Sequence, residues 1–397
     1  MEDIKRVKLS EIVELITKGT TPTTLGYEFQ DEGVNFLKIE CFDENGGFIE
    51  SKVAHISEEC HKKMKRSQLK NGDILFSIAG AIGRVAIVTE EMLPANINQA
   101  LAIIRISDEQ VYLPYIKLIL TSPIVIEQFE RKKQGVAQLN LSLKDINEIS
   151  IPLPSKDKQI ELAELFDKVV GVISKRNKEL SALDDLIKVR FVEMFGNPVT
   201  NEKGWNQKQL GEITTKLGSG ATPKGGKEAY QEDGITLIRS MNVHNGLFEY
   251  KELAHISEEQ ATKLDNVTIE ENDVLLNITG ASVARSCVVP SKILPARVNQ
   301  HVCIIRCNQR IVPEFLNKLL IDDNYQRLLW SIARGGATRE AITKQQVESL
   351  KIIVPPIELQ NQFADFVHQV DKSKVAVQKA LDETQMLFDS LMQKYFA

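Results

Sequence analysis

The chain has 397 residues, 43% of them hydrophobic and 26% charged, which are ordinary values for soluble globular protein and a length expected for two or three domains. No apolar run reaches the roughly 18 residues of a membrane span, and the polar N-terminus Met1–Lys5 argues against a secretory signal. The net charge is −5, with −4 in residues 1–155 and +1 in residues 201–356. Since no segment is strongly basic, binding to nucleic acid would need local patches or a partner.

An internal repeat is the dominant feature of the sequence. The segment Ala54–Glu59 recurs as Ala254–Glu259, at an offset of 200 residues. The other matches are colinear with it: Gly19-Thr20-Thr21-Pro22 with Gly220-Ala221-Thr222-Pro223, Asn71–Leu75 with Glu271–Leu275, Leu93-Pro94-Ala95 with Leu294-Pro295-Ala296, Asn98-Gln99 with Asn299-Gln300, Gly135 with Gly336, and Pro154 and Gln159 with Pro355 and Gln360. These matches predict that the two halves of the chain share one fold.

Each copy is predicted to be a mixed unit of strands and short helices. A helix over Leu9–Thr17, or Leu210–Lys216, is expected to end at the Gly-x-Thr-Pro turn. Short runs of β-branched residues bounded by turn residues predict the strands that follow, at 34–39, 74–78, 86–88, 102–104 and 149–151, and at 235–240 and 274–278. A helix is expected over Tyr112–Phe129, and Pro152 and Pro154 end the last strand.

A heptad pattern of apolar residues follows each unit. Such a seam over four to five heptads predicts two long helices that form a coiled coil; the alternative is that each helix packs on its own unit. The seam residues are Leu162, Phe166, Val169, Ile173, Leu180, Leu183, Ile187 and Met194 in the first helix, and Phe363, Val367, Val370, Val377, Leu381, Phe388, Leu391 and Tyr395 in the second. Arg176, Arg190 and Lys374 also occupy seam positions, where they are expected to set the register or to contact partners.

The order of units and helices favours antiparallel pairing of the two helices. The link between them is a whole unit that begins beside the end of the first helix, so antiparallel pairing relates the copies by a pseudo-two-fold axis. A helix of about 35 residues is about 52 Å long, or about one and a half turns of B-DNA. That length would suit a protein that recognises two separated DNA half-sites.

Signals of catalysis are weak throughout the sequence. The turn Ser77–Gly83 lacks both common phosphate-loop patterns, and Cys303 and Cys307 have no second cysteine pair to complete a zinc site. The histidines are not spaced as metal ligands, and no hydrolase or base-methylating motif is present. The five scattered cysteines are expected to be reduced thiols in a cytoplasmic protein. The sequence therefore favours a protein that is not an enzyme.

The ordered motifs resemble the DNA specificity subunit of a type I restriction–modification system. Each copy opens with Gly-x-Thr-Pro and closes with a Pro-rich strand end, Ile151–Pro154 or Ile353–Pro356, before a helix that carries Gln159 or Gln360. The resemblance covers essentially the whole chain and depends on the order and duplication of short motifs. It implies an α+β fold with two target-recognition domains, residues 1–155 and 201–356, joined by spacer helices, residues 156–200 and 357–397.

The resemblance also implies a function. Each recognition domain would read one half of a bipartite, asymmetric target in double-stranded DNA, and the paired helices would set the spacer. The helices would also dock two modification (methyltransferase) subunits, and the complex would recruit restriction (endonuclease and translocase) subunits. S-adenosylmethionine, ATP and Mg²⁺ would belong to those partner subunits, with no cofactor, metal or catalytic residue on this chain. A two-headed protein scaffold without DNA binding is the main alternative, and an enzyme with an unlisted motif is a distant third.

Base readout needs hydrogen-bond donors on exposed loops, with Arg favoured for guanine and Asn or Gln for adenine. Positions that the two copies share are expected to serve the fold or contact phosphate, whereas positions that differ, such as Gln138 against Arg339 and Asn140 against Ala341, are expected to choose the sequence. A solvated or ion-paired surface charge is the alternative for each position. The candidates are Thr21, Lys38, Arg84, Arg131, Lys132, Lys133 and Gln138 in the first copy, and Thr222, Lys224, Arg239, Arg285, Arg334, Thr338 and Arg339 in the second.

Overall fold

The chain folds into two compact units, Met1–Asn177 with Lys379–Ala397, and Lys178–Gln378. The computed structural model describes residues 5–43, 46–130, 140–222, 226–335 and 340–396. Each unit combines one copy of the repeat with the first part of one long helix and the last part of the other. No helix of the described residues is long and apolar enough to cross a membrane.

The first copy contains two small sheets, a strand pair and short helices. Its strands are β1 Arg6–Lys8, β2 Val13–Lys18, β3 Val34–Leu37, β4 Ala54–Ile56, β5 Ile74–Ser77, β6 Val85–Ile87, β7 Ala95–Ile97, β8 Leu101–Ile106 and β9 Ser150–Pro152. Its helices are α1 Glu58–Lys63, α2 Leu113–Leu120, α3 Pro123–Glu130 and α4 Leu143–Asn147, followed by the long helix α5 Lys156–Phe195. The strands form an antiparallel sheet β2-β8-β5-β6, a mixed sheet β4-β3-β7 and the pair β1-β9.

The four-stranded sheet is buried on both faces because alternate side chains of a strand point in opposite directions. Ile74 and Phe76 pack with the apolar residues of α2 and α3, whereas Leu75 packs with Leu37 and Ile97 of the mixed sheet. A strand that is buried on both faces, such as β5, is apolar at every position. Its sequence therefore does not show which side chains point to which face of the sheet.

The second copy repeats this arrangement. Its strands are β10 Gln207–Gln209, β11 Thr214–Ser219, β12 Ile235–Ile238, β13 Val243–His244, β14 Leu247–Phe248, β15 Ala254–Ile256, β16 Val274–Asn277, β17 Ser286–Val288, β18 Ala296–Val298, β19 Val302–Cys307 and β20 Lys351–Ile353. Its helices are α6 Glu258–Thr262, α7 Pro313–Leu320, α8 Asp323–Arg334 and α9 Lys344–Glu348, followed by the long helix α10 Ile357–Phe396. The sheets β11-β19-β16-β17 and β15-β12-β18 match those of the first copy strand for strand.

The helix predicted at the start of each copy is wrong. Only Leu9–Glu11 forms a single 3₁₀ turn, and the following residues form strand β2, which pairs with β8 through a bulge near Val13. The second copy does the same with Leu210–Ile213 and β11. Pairing with the central strand outweighs local helix propensity, because it satisfies the backbone groups of both strands.

Two repeated polar motifs are structural. Asp73 accepts two hydrogen bonds from Arg105 of β8, at 2.6 Å from Nε and 2.7 Å from the terminal nitrogen, and only 1% of its side chain is exposed. Buried Gln159 anchors the start of α5, since its Oε1 accepts from Tyr112 N at 2.9 Å and its Nε2 donates to Pro154 O at 2.9 Å. The second copy repeats both motifs, with Asp273 and Arg306 and with Gln360. The shared motifs thus build the same fold twice.

The two long helices are antiparallel within each unit. In the first unit, the Lys158 ammonium lies 5.7 Å from the ring centroid of Tyr395, and the Phe166 ring lies 5.5 Å from that of Phe388, so contacts on α10 run backwards as α5 runs forwards. The second unit shows the same direction. Lys374 forms an ion pair with Asp184 at 2.6 Å, and Phe363, which is earlier on α10, contacts rings that are later on α5. All the predicted seam positions are buried or partly buried. The predicted mixed α/β repeat with long antiparallel helices is therefore confirmed.

The glycine of each Gly-x-Thr-Pro turn lies against another turn of its own unit. A Cβ atom on Gly19 would be 2.0 Å from the carbonyl oxygen of Ile97 and 2.3 Å from that of Asn98, and one on Gly220 would be 1.7 Å from that of Val298. Only glycine permits this approach, because real Cβ atoms keep more than 3 Å from such neighbours. The motif thus fixes where the Thr-Pro turn meets the turn before β8 or β19.

We expect the substitution Gly220→Ala to lower the stability of the second unit by about 1–3 kcal/mol, since the added methyl overlaps backbone that must shift. Gly218→Ala is the matched control, because no atom lies within 4 Å of a Cβ built there. Urea unfolding of the two variants measures the difference. Equal stability of the two variants would contradict the close approach.

Candidate nucleic-acid interface

One edge of the four-stranded sheet carries three connecting turns. Strands β2 and β5 end at this edge, and β6 and β8 begin there, as their pairing registers require. The turns, residues 19–22, 78–84 and 98–100, therefore lie together, and we call them the turn edge. The second unit has the equivalent turn edge, with described residues 220–222, 278–285 and 299–301.

The repeated threonine of each Thr-Pro turn is bonded to the repeated glutamine of the adjacent turn. The Thr21 hydroxyl donates to Gln99 Oε1, and the Thr222 hydroxyl donates to Gln300 Oε1. Both glutamines are exposed. Each turn edge therefore presents an amide whose oxygen is oriented by a neighbouring hydroxyl, leaving the amide nitrogen as a donor.

A cation stacked on an aromatic ring lies beside each turn edge. Asn98 N donates to Leu37 O at 3.3 Å, which brings Lys38 next to the Asn-Gln turn. The Lys38 ammonium lies 5.0 Å from the ring centroid of Phe29, and the guanidinium carbon of its counterpart Arg239 lies 5.5 Å from the Tyr230 ring. Arg239 also donates to the carbonyl of Glu252. The ring limits where each long side chain can reach.

The predicted arginines Arg84 and Arg285 also belong to the turn edges. Ser77 N donates to Arg84 O at 2.9 Å, and Asn277 N donates to Arg285 O at 2.8 Å, so both arginines close the turn before β6 or β17. The Arg285 guanidinium approaches His244 Nδ1 at 3.4 Å. Both side chains are half-buried. Each edge thus gathers a hydroxyl, an amide and two cations that are far apart in sequence.

The remaining candidates fall into two groups. Arg334, at the end of α8, is exposed, lies 5.2 Å from the Trp330 ring and pairs with Glu340 at 3.4 Å. The others lie outside the described residues: Arg131, Lys132, Lys133, Gln138, Lys224, Thr338 and Arg339. The described chain resumes beside the turn edge in both units, where Leu141 N donates to Ile78 O at 3.0 Å and Ile342 N donates to Ile278 O at 2.8 Å.

Sequence reasoning missed four polar residues that the structure adds to the edges. Gln99 and Gln300 were visible as a repeated Asn-Gln pair, but their bond to threonine depends on tertiary pairing. Thr279 and His301 carry no motif and are absent from the first copy. Their contact, 2.5 Å between Thr279 Oγ1 and His301 Nδ1, joins two turns that are distant in sequence.

Burial raises the pKa of all five cysteine thiols, which disfavours the reactive thiolate form. Burial raises the pKa of the Cys287, Cys303 and Cys307 thiols to about 12, so they stay protonated at neutral pH. Within the described ranges, no group of three or more His, Cys, Asp or Glu side chains could hold a metal ion. The chemistry available at the turn edges is hydrogen bonding and charge, which suits recognition of base edges and phosphates.

Comparisons with known proteins find similar sequences and a similar overall fold. The sequence is 31% identical over 176 residues to the type I restriction enzyme EcoBI specificity subunit of Escherichia coli. The aligned region covers 43% of this chain but only 36% of that protein. It is 24% identical over 415 residues to the putative type I restriction enzyme MjaX specificity subunit of Methanocaldococcus jannaschii, covering 96% of this chain and 91% of that one. The crystal structure of a type I restriction–modification S subunit from M. genitalium has the same fold, with a TM-score of 0.58, 15% identity and coverage of 100% and 97%.

The strongest of these comparisons is a family match that repeats with the internal duplication. The family described as the type I restriction modification DNA specificity domain matches residues 1–182 and again residues 202–384. Together these ranges cover most of the chain, each with one copy of the turn edge. The chain therefore belongs to the family of type I restriction–modification DNA specificity proteins.

Proposed function

We propose that this chain is the non-catalytic DNA-recognition subunit of a type I complex, and that each turn edge reads one half of a bipartite target. The observation that carries the proposal is the duplicated edge, on which a Thr–Gln pair and two cations recur in the same places. Donors of this kind suit acceptors on bases and on phosphates.

The two kinds of position at the edge would have different roles. Lys38 with Arg239, and Arg84 with Arg285, keep their charge in both copies, which suits contacts to a phosphate backbone that is the same in any sequence. Positions that differ would select bases, so two different half-sites would form an asymmetric target. The acidic balance of the chain is consistent with partners that supply part of the phosphate contacts.

We propose that two methyltransferase subunits and the restriction subunits assemble on this chain. Apolar side chains exposed on the long helices support such docking: Leu186, Val189 and Val192 on α5 are 46%, 65% and 48% exposed, and Val375, Met386 and Leu387 on α10 are 70%, 62% and 51% exposed. S-adenosylmethionine, ATP and Mg²⁺ would be bound by those partner subunits. A role on chromosomal DNA would place the complex in the cytoplasm.

A two-headed scaffold that binds only proteins is the alternative. It accounts for the helices, but it gives no reason for matched cations and amides at both edges. Co-purification of the chain with its methyltransferase subunit, followed by gel-shift assays on random duplexes, separates the two. We expect selective binding of a bipartite sequence; a complex without sequence preference would support the scaffold.

The helix pair is proposed to set the distance between half-sites. Inserting seven residues after Asn177 and seven after Gln378, where the two units divide, would lengthen each helix by about 10 Å. We expect the spacer to grow by about three base pairs while both half-sites stay the same, which sequencing of methylated genomic sites would show. As a control, the complex with the seven residues inserted into α5 alone should lose its methylation activity. An unchanged spacer in the variant with both insertions would contradict the proposal.

The shared cations are proposed to contact phosphates. In the complex, we expect the double variant Arg239→Ala, Arg285→Ala to bind specific and random duplexes more weakly. The plot of log binding constant against log salt concentration should become less steep by about two. The control is Lys263→Ala, which removes an exposed lysine just after α6, outside the turn edge. An unchanged slope in the double variant would show that these arginines do not meet phosphates.

A further inference from the structure

The second turn edge carries a chain of four hydrogen-bonded side chains. The Thr222 hydroxyl donates to Gln300 Oε1, and Gln300 Nε2 contacts His301 Nε2 at 3.1 Å. An amide nitrogen is only a donor, so His301 Nε2 accepts, and the ring proton is on Nδ1. Nδ1 then donates to Thr279 Oγ1, 2.5 Å away. The Thr279 hydroxyl accepts this bond and keeps its own proton to donate elsewhere.

The first turn edge lacks half of this chain. It keeps the Thr21–Gln99 bond, but Ala79 stands where the second unit has Thr279, and Ala100 stands where it has His301. The backbone is the same in both: Ile78 N donates to the carbonyl of residue 100 at 2.9 Å, as Ile278 N does to that of residue 301 at 2.9 Å. The turn therefore folds with or without the histidine and threonine, so folding does not require them.

All four positions, 79 and 100 in the first unit and 279 and 301 in the second, are half-buried beside an exposed glutamine. They differ in chemistry alone, with two methyl groups on one edge and a hydroxyl oriented by an imidazole on the other. A neutral hydroxyl is a weak ligand for phosphate in comparison with the cations that both edges share. Both positions differ together between the two edges, beside an exposed glutamine. Such a paired difference suits the recognition of different bases by the two edges.

We propose, on the basis of the proposed DNA-recognition function, that residues 79 and 279 help to determine the two half-sites. Thr279 donates its hydroxyl proton to an acceptor in the major groove, such as guanine O6 or N7, adenine N7 or thymine O4. Ala79 instead makes an apolar contact with the 5-methyl group of a thymine, as alanine does in base readout. His301 is a positioning residue, since it holds both the Thr279 hydroxyl and the Gln300 amide.

The test uses the complete complex with its methyltransferase subunit and the base profile of its methylated genomic sites. In the double variant Thr279→Ala, His301→Ala, we expect the preference at one base pair of the second half-site to fall about 10-fold, with the first half-site unchanged. His301→Asn should keep part of the preference, because its amide can still donate to Thr279, whereas His301→Ala should not.

The reciprocal test is made in the first unit. The variant Ala79→Thr, Ala100→His should change the preference at one base pair of the first half-site only. Duplexes with uracil in place of each thymine should weaken binding of the unsubstituted complex at one position of that half-site. Unchanged profiles in both double variants, or an equal loss at every base pair, would overturn the proposal. Absence of any sequence-selective methylation by the unsubstituted complex would instead refute the proposed function itself.

Discussion

The close approach of Gly19 and of Gly220 to a backbone carbonyl of the adjacent turn is the constraint on which the rest of the site depends. Gly19 and Gly220 bring the Thr-Pro turn within bonding range of the Asn-Gln turn, so that a threonine can orient a glutamine amide. The sheet then adds the other groups, since four strands end or begin at that edge. Without this packing, the hydroxyl, the amide and the cations would be unrelated residues on separate loops.

Duplication of this constraint gives the chain two edges with the same frame and different surfaces. The buried Asp–Arg pair and the buried glutamine at the start of each long helix are kept in both copies because the fold requires them. The edge cations are kept as well, whereas Thr279 and His301 replace two alanines. A frame that tolerates such replacements is suited to recognition, since new contacts can be gained without rebuilding the sheet.

The helices and the duplication could be predicted from sequence, because a seven-residue seam and colinear motifs are local patterns. The start of each copy could not: Leu9–Thr17 has a helical period, but β2 forms since β8 needs a partner. The turn edge was only partly predictable. Thr21, Lys38 and Arg84 were found as repeated polar residues, yet their assembly with Gln99 depends on the antiparallel register. The network of Thr279 and His301 left no sequence signal because it occurs once.

In the proposed recognition, each turn edge meets its own half-site. Ala81 and Ala281 are matched, exposed residues of the two edges whose side chains lie outside the hydrogen-bonded side-chain networks, so either position can carry a photo-crosslinking amino acid. In the complex bound to its methylation target, we predict that crosslinks from position 81 map to one half-site and those from position 281 to the other. Crosslinks from both positions to the same half-site, or to the spacer alone, would contradict separate recognition of the two half-sites.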